Sequence, residues 1–487
     1  MSGKLEIFKK MASNKVMHYL FSRYATYFIQ FVNSLFIAVF LGPYYLGIWG
    51  FINLVIQYLA QINLGITYSV NAIASVHKNK EWYVSKVIGT SITMLLVLSL
   101  FVIFFFFANQ FFGINIGDKY HFSTYAPLVC IIAVLAYFNG LFVNIFRIYG
   151  KLLEVIVNQS IVAVSMLGII FVFKGEHLLW ALVIVNSIAV FLSFLFFLFR
   201  TPVKLIPSFN WRLAKTIQIK GWHLFVYNTS FYLIMLSTRS FVSGFYSVSQ
   251  FGFFTFSFSL SNAILMFLQS ISFLIFPKLL NRFANTSNER IIEILELVRN
   301  AYITLSHALV HFAILLFPLF LLLFPKYQSA TDAFRIISLT VVLYTNSFGY
   351  QGLLIARGKE KKLGFIAFGA LCLNVLIATI LSVYLKVPYT LVILSTLFTY
   401  FVYVYTLGVY GRKELFLTTT FFSIIDDIFP MRLFIPFFTS LCFIIFSVPN
   451  ISFVIPLVLF FWLNRKKLLE IKKVMQNVIG DPNVIDI

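Results

Sequence analysis

From residue 19 almost to its end, the chain reads as apolar blocks about twenty residues long, separated by short clusters rich in Lys and Arg. A block of that length crosses the ~30 Å hydrocarbon core of a bilayer as a helix. Spans are expected at 19–41, 48–72, 87–108, 126–146, 152–173 and 178–199, then at 222–242, 252–276, 301–324, 333–356, 363–385 and 390–410. A final pair, 433–448 and 451–463, is shorter and carries Pro436, Pro449 and Pro456. It reads as two thin spans or as a hairpin that stops short of crossing. The expected fold is all-α and polytopic, with two six-helix bundles, a C-terminal helix pair and about 14 transmembrane helices. The segments are a basic N-terminal stretch (1–18), a first bundle (19–200), an interfacial linker (201–221), a second bundle (222–411), a second interfacial segment (412–432), the helix pair (433–464) and a tail (465–487).

Composition supports the membrane reading. Sixty per cent of the 487 residues are hydrophobic, 61 of them Phe, and only 11% are charged, against roughly 25% in soluble chains. No stretch is long and polar enough to form a separate soluble domain. A net charge of +21 would point to nucleic acid in a soluble protein. Here Lys and Arg gather in cytoplasmic loops instead, and no nucleic-acid partner is expected. With the N-terminus inside, all but six of the 37 Lys and Arg fall on cytoplasmic segments; the exceptions are Lys119, Lys174, Arg239, Lys326, Arg335 and Lys386. One miscounted helix would invert every later loop and scramble that alternation. Both termini are therefore expected inside. The N-terminal Lys4, Lys9, Lys10 and Lys15 precede the first span without a cleavage signature, as in a retained insertion signal. Cys130, Cys372 and Cys442 lie in apolar runs and imply no disulfide framework.

Three inside segments look interfacial. Residues 208–220 mix Trp211 and Leu213 with Arg212, Lys215 and Lys220; residues 286–299 open with a Thr286-x-x-Glu289 capping box; residues 413–431 are less regular. A weak repeat also runs through the chain. Leu46-Gly47-Ile48-Trp49 is matched 205 residues later by Phe251-Gly252-Phe253-Phe254, and the turn at Gly150-Lys151 is matched 208 residues later by Gly358-Lys359. Two six-helix halves of the same orientation are implied, with a pseudo-symmetry axis along the membrane normal and a substrate site between them.

None of the 16 acidic residues falls near the middle of an expected span. Cation-coupled exporters of cationic drugs generally need a buried carboxylate, so this placement argues against drug export. It equally weakens a metal site or a two-carboxylate hydrolase. A phosphate-binding Gly-x-x-x-x-Gly-Lys-Ser/Thr loop and a His-Glu-x-x-His pair are both missing from the sequence. Outer loops are short, which disfavours a glycan polymerase. No enzyme activity, cofactor or metal is expected.

The spans contain amides and cations instead. Asn53, Gln57 and Gln61 recur every four residues within an arc of roughly 80°, and Gln30 and Asn33 lie near the middle of span one. Such a wall suits sugar hydroxyls, and interhelical hydrogen bonding accounts for it as well. His307 and His311 sit one turn apart, about 15 Å into span nine. They are a titratable pair or two neutral, hydrogen-bonded core residues. Arg23 and Arg147 lie near inner span ends, Arg239 and Arg335 near outer ones. Snorkelling explains each singly, and together they offer an anion-attracting set.

The stretch FLGPYYLGIWGFINLVIQYLAQINLGITYSVN (40–71) resembles the first helical hairpin of O-antigen and polysaccharide flippases (Wzx type), members of the multidrug/oligosaccharidyl-lipid/polysaccharide exporter superfamily. STRSFVSGFYSVSQFGFFTFSFSLSNAILMFLQSISFLIFPKLL (237–280) resembles the matching hairpin of the second half, with its closing Phe276-Pro277. Many relatives carry an acidic residue before the span-seven arginine; this chain has Thr238 before Arg239. The resemblance implies two bundles in a V, a central cationic cavity and two extra C-terminal helices in a bacterial cytoplasmic (inner) membrane. It implies as cargo an undecaprenyl-pyrophosphate-linked oligosaccharide, moved to the periplasmic leaflet among membrane lipids and other polysaccharide-assembly membrane proteins. The alternatives are a flippase of another lipid-linked glycan, such as a peptidoglycan precursor, and a multidrug exporter. A pyrophosphate left uncompensated in hydrocarbon would be prohibitive, so cations and amides along its path are the expected chemistry.

Overall fold

The computed structural model describes residues 15–77, 80–111, 113 and 117–480. Residues 1–14, with three of the N-terminal lysines, and the end of the tail at 481–487 lie outside the described residues. Among the described residues the fold is all-helical. In chain order the helices are α1 Lys15–Gln61, α2 Ile66–Val76, α3 Glu81–Phe111, α4 Phe122–Ile148, α5 Leu152–Ile170, α6 Gly175–Arg200, α7 Trp211–Phe245, α8 Val248–Asn285 and α9 Asn288–Phe320. There follow α10 Thr331–Thr345, α11 Tyr350–Ala356, α12 Glu360–Thr379, α13 Tyr389–Val392, α14 Leu394–Glu414, α15 Phe421–Ile428, α16 Met431–Ile445 and α17 Val454–Gly480.

Eight helical stretches among the described residues are long and apolar enough to cross a membrane, or nine if the pair α15–α16, bent by 76°, counts as one span. The first of the eight is 41 residues long and is kinked at Gly42 ahead of Pro43. It therefore holds nearly all of the first expected span and residues 48–61 of the second.

Several helix limits differ from the sequence expectation, each for a local reason. The expected span 48–72 is interrupted: helix ends at Gln61 and resumes at Ile66, with Leu64 at φ 51° and Gly65 at φ 79°. Left-handed backbone at two successive residues cannot continue an α-helix. The expected span 333–356 breaks likewise between Thr345 and Tyr350, where Gly349 has φ 92°. The linker at 208–220 is not a separate surface helix beyond Asn210, because α7 runs unbroken from Trp211 into the seventh span. Residues 288–299 are similarly continuous with span nine as α9. Its N-cap is Ser287 rather than Thr286; the Thr286 hydroxyl donates back to the Arg282 carbonyl at 2.7 Å, which leaves the expected capping box unformed.

The chain forms two compact units: Met1–Tyr232 with Tyr246–Phe256, and Leu233–Phe245 with Ser257–Ile487. Helices α7 and α8 each contribute to both. In unit 1, amides and hydroxyls tie helix to helix through backbone carbonyls. Asn33 Nδ2 on α1 donates to the Ala163 carbonyl of α5 at 2.7 Å. Asn158 Nδ2 donates to the Ser193 carbonyl at 2.8 Å while the Ser193 hydroxyl donates to the Asn158 carbonyl at 3.2 Å. Tyr137 on α4 donates to the Leu59 carbonyl at 2.8 Å. In unit 2, α9 packs on α16 and α17 through apolar residues that include Ile303, Ala308, Leu433 and Phe460, and on α10 through Phe317 stacked on Phe334 at 3.8 Å.

Candidate functional site

The stripe read from the second span is present on the α1 segment after Pro43. Asn53, Gln57 and Gln61 are each half-buried, whereas Ile52, Leu54 and Leu59 beside them are buried. Asn53 Nδ2 donates to the Trp49 carbonyl of its own helix at 2.8 Å, and Gln61 Oε1 accepts from the Thr229 hydroxyl on α7 at 3.4 Å. Gln30 is also half-buried. Asn33 is not part of such a wall: it is 4% exposed and spent on the contact between α1 and α5.

The interruption after Gln61 is closed by neutral groups. Asn63 Oδ1 accepts from the Gly65 amide at 3.0 Å, and Asn63 Nδ2 donates to the Ala60 carbonyl at 2.8 Å. Gln218 Nε2 on α7 donates to the Leu64 carbonyl at 3.2 Å. A Cβ on Gly221 would stand 2.6 Å from the Gly65 carbonyl oxygen, so the two backbones meet directly.

The repeat glycines also meet, within unit 1. A Cβ on Gly47 would lie 2.1 Å from the Val248 carbonyl oxygen, and one on Gly252 would lie 1.9 Å from that of Pro43. Each glycine thus abuts the residue four positions before the other, a reciprocal crossing that fits their repeat positions. Beside it, Phe51 stacks on Tyr120 at 4.2 Å, and Tyr120 meets Phe251 edge-on at 5.9 Å. Lys119 Nζ donates to the Tyr246 carbonyl at 2.9 Å, and burial pulls its ammonium below the usual lysine range.

The predicted cations are held in different ways. Arg23 is half-buried and bonded to Tyr27, one turn along its own helix, at 2.8 Å. Arg147 is exposed in the last turn of α4. Arg239 and Arg335, expected to snorkel or line a cavity, are buried at 2% and 3% exposure. Arg239 lies 4.6 Å over the Phe258 ring. Arg335 lies 4.0 Å over Phe453, donates to Asn450 Oδ1 at 2.7 Å and pairs with Asp332 at 3.7 Å. Thr238, where relatives were expected to carry an acid, is fully buried in a neutral cluster. Its hydroxyl meets Thr396 at 2.6 Å, and Asn374 Nδ2 reaches Ser237 at 2.8 Å and Thr238 at 3.1 Å.

Sequence reading missed the most polar part of unit 2. Arg299 pairs with Asp427 at 2.6 Å, also donates to the Asp427 carbonyl, and donates through Nε to the Asn346 carbonyl at 3.1 Å. Arg412 pairs with the other Asp427 oxygen at 3.1 Å, and the Tyr350 hydroxyl donates to that same oxygen. Asn346 Nδ2 donates to the Ile428 carbonyl at 2.9 Å, and its Oδ1 faces His307 Nε2 at 3.0 Å. The second helix interruption is therefore clamped by an ion network in which Arg299 is buried and Asp427 and Arg412 are partly exposed. The available signal was the Asp426-Asp427 doublet, standing just ahead of the proline-rich pair in a chain poor in acids. Among the described residues no group of three or more His, Cys, Asp and Glu is placed to hold a metal.

The helices, their interruptions and their apolar faces define a polytopic membrane protein with a MATE-like fold. The chain is similar to a multidrug resistance MATE family transporter of the MOP superfamily in its inward-facing conformation, at 14% identity and TM-score 0.64, over 81% of this chain and 98% of that one. An outward-facing structure of a MATE family transporter is similar at 15% identity and TM-score 0.57, over 82% and 93%. A MOP superfamily transporter from Pyrococcus furiosus, described as having a binding pocket of reverse polarity that suggests a different function, is similar at 16% identity and TM-score 0.54, over 82% and 94%. No family model matches the chain, and no curated protein matches it.

Proposed function

We propose that the protein is a transporter, not an enzyme, that flips a polyprenyl-pyrophosphate-linked oligosaccharide from the cytoplasmic to the outer leaflet by alternating access. The observation that carries this reading is the half-buried amide stripe of Asn53, Gln57 and Gln61 on the segment of α1 after Pro43, whose other residues are apolar or aromatic. Hydrocarbon-facing amides are costly, whereas amides facing a hydrated path replace water around sugar hydroxyls. Arg23 and Arg147, neither of them buried, supply positive charge for a diphosphate, which guanidinium groups bind well. The isoprenoid tail stays in lipid throughout. The protein would sit in the cytoplasmic membrane with both termini inside.

The fold is shared with multidrug transporters, which keeps drug export as the second reading. It is also shared with a transporter whose reversed pocket polarity is described as suggesting a different function. Deleting the gene should abolish one surface polysaccharide while its lipid-linked repeat unit accumulates on the inner leaflet. Unchanged surface glycan together with reduced efflux of cationic dyes would decide for drug export.

A further inference from the structure

The polar side chains of α9 and α10 are turned into unit 2, where His307, His311 and Arg335 are all buried. The segment after α14 does the opposite. Phe416, Phe421 and Phe422 are 88%, 60% and 82% exposed. Phe416 also has φ 57°, a left-handed backbone that a bulky aromatic residue adopts only at a steric cost. A ring so exposed finds little within the protein to offset that cost. Helix α15 presents two faces. Ile424 and Ile428 are buried against α14, where a Cβ on Gly408 would stand 2.6 Å from Ile428 Cγ1 and 3.4 Å from Ile424 Cγ2. Phe421 and Phe422 are left outside that contact. The helix is bent by 76° from α16, so where α16 crosses a bilayer, α15 lies along its surface, as amphipathic interfacial helices do.

Cations gather beside these rings. Lys359 and Lys362, at the start of α12, both reach Glu414 Oε1 at 3.9 Å, which brings them to the end of α14. Lys362 and Lys413 stand 5.6 and 5.9 Å from the centroid of the same Tyr410 ring. Arg357 and Lys361, in the same turn as Lys359, are exposed. Among the described residues Glu414 is the only carboxylate within ion-pair distance of any of these five, so the surface is left positive. Asp426, one turn after Phe422, is exposed too and marks where that surface ends. Exposed aromatic rings flanked by unmatched ammoniums suit a leaflet that carries anionic headgroups. The rings enter the boundary between headgroups and acyl chains, and the lysines meet the phosphates.

We propose that residues 413–422, with Lys359 and Lys362, form a docking surface for an anionic phospholipid leaflet, and that this docking steadies the clamp on the helix interruption at 346–349. The proposal goes beyond the transport reading and does not depend on it. The link runs through α15. Asp427 stands in its last turn, five residues after Phe422, and holds Arg299, which donates to the Asn346 carbonyl. Arg412 of α14 and Tyr350 of α11 meet the other Asp427 oxygen. A leaflet that holds Phe421 and Phe422 fixes the start of the same short helix whose end carries that carboxylate. By linkage, whatever binds the docked α15 more tightly favours the closed clamp by the same factor.

The test is amide hydrogen exchange of the full chain, read by mass spectrometry in single-copy nanodiscs. One set is phosphatidylcholine alone, the other an equal mixture with phosphatidylglycerol. Exchange at 415–424 and at 346–352 is expected to be about tenfold slower in the mixture. Phe416→Ser with Phe422→Ser should remove that difference, and so should Lys359→Gln and Lys362→Gln with Lys413→Gln. Should a variant not fold, the unaltered chain in the two lipids decides alone. Equal exchange at 415–424 in both overturns the docking. Protection by inorganic phosphate in phosphatidylcholine overturns it in favour of a free-anion site. Protection that needs two copies per disc, whatever the lipid, overturns it in favour of an interface between copies. Slower exchange at 415–424 with none at 346–352 overturns the link to the interruption.

Discussion

At residues 62–65 of unit 1 an interrupted helix is closed by neutral amides, and at residues 346–349 of unit 2 it is closed by a buried guanidinium held on a half-buried carboxylate. In the first, Asn63 and Gln218 take the freed backbone groups. In the second, Arg299 takes the Asn346 carbonyl while Asp427, Arg412 and Tyr350 hold the arginine. Broken helices persist at membrane depth only where protein satisfies the exposed backbone. Neutral amides do so with bonds worth about 0.5–1.5 kcal/mol each, and the group left behind by a lost amide is uncharged and so costs less than a stranded charge. An ion pair with a buried member is less forgiving, because removing the carboxylate strands the charge of buried Arg299. The difference teaches where each unit tolerates change. Unit 1 is stitched by many separable contacts, and the break in unit 2 depends on one carboxylate.

The largest effect is expected at that carboxylate. Asp427→Ala leaves Arg299, whose side chain is 7% exposed, without its counter-charge, and should lower stability by about 3–5 kcal/mol. The readout is the thermal unfolding midpoint of the purified protein in detergent. A loss no larger than that of a single amide bond would break the comparison.

Next comes the glycine crossing of unit 1. Gly252→Leu forces side-chain atoms into the Pro43 carbonyl, where even a Cβ would stand at 1.9 Å. The helices must separate, costing about 1–3 kcal/mol in the same unfolding assay. Gly168→Leu is the control, since a Cβ there meets nothing within 4 Å. Equal behaviour of the two variants would show that the crossing is not tight.

The smallest effect sharpens the contrast. Asn63→Ala removes two of the side-chain bonds of the first interruption and leaves that of Gln218; it should cost about 1 kcal/mol, read in the same unfolding assay. A loss comparable to that of Asp427→Ala would mean the two interruptions are equally brittle.

Much of this was legible from the chain, residue by residue. Gly47 and Gly252 were matched by position before their crossing was seen, and four-residue spacing alone puts Asn53, Gln57 and Gln61 within one arc, though not how exposed they are. Asn33 misled, since an amide at mid-span reads the same whether it faces water or a neighbouring carbonyl. Arg239 and Arg335 misled too, because the aromatic rings that bury them lie on distant segments. Asp427 was read as one more loop acid; its partner Arg299 is 128 residues away, and no spacing rule reaches that far.

The sequence by itself determined the solvent. Its apolar run lengths match a bilayer, and a chain this poor in charge could not hide its Phe, Ile and Leu in water. The arrangement of Lys and Arg likewise carries the expected topology, because orientation depends on loop charge rather than on packing. Only the tertiary structure decided where helices break and which polar groups are spent inside the protein. Hydropathy averages over a window and does not register a few residues of left-handed backbone. Whether an amide, arginine or histidine bonds a neighbour or stays available depends on which helix is packed opposite, and that is a property of contacts between segments far apart in the chain.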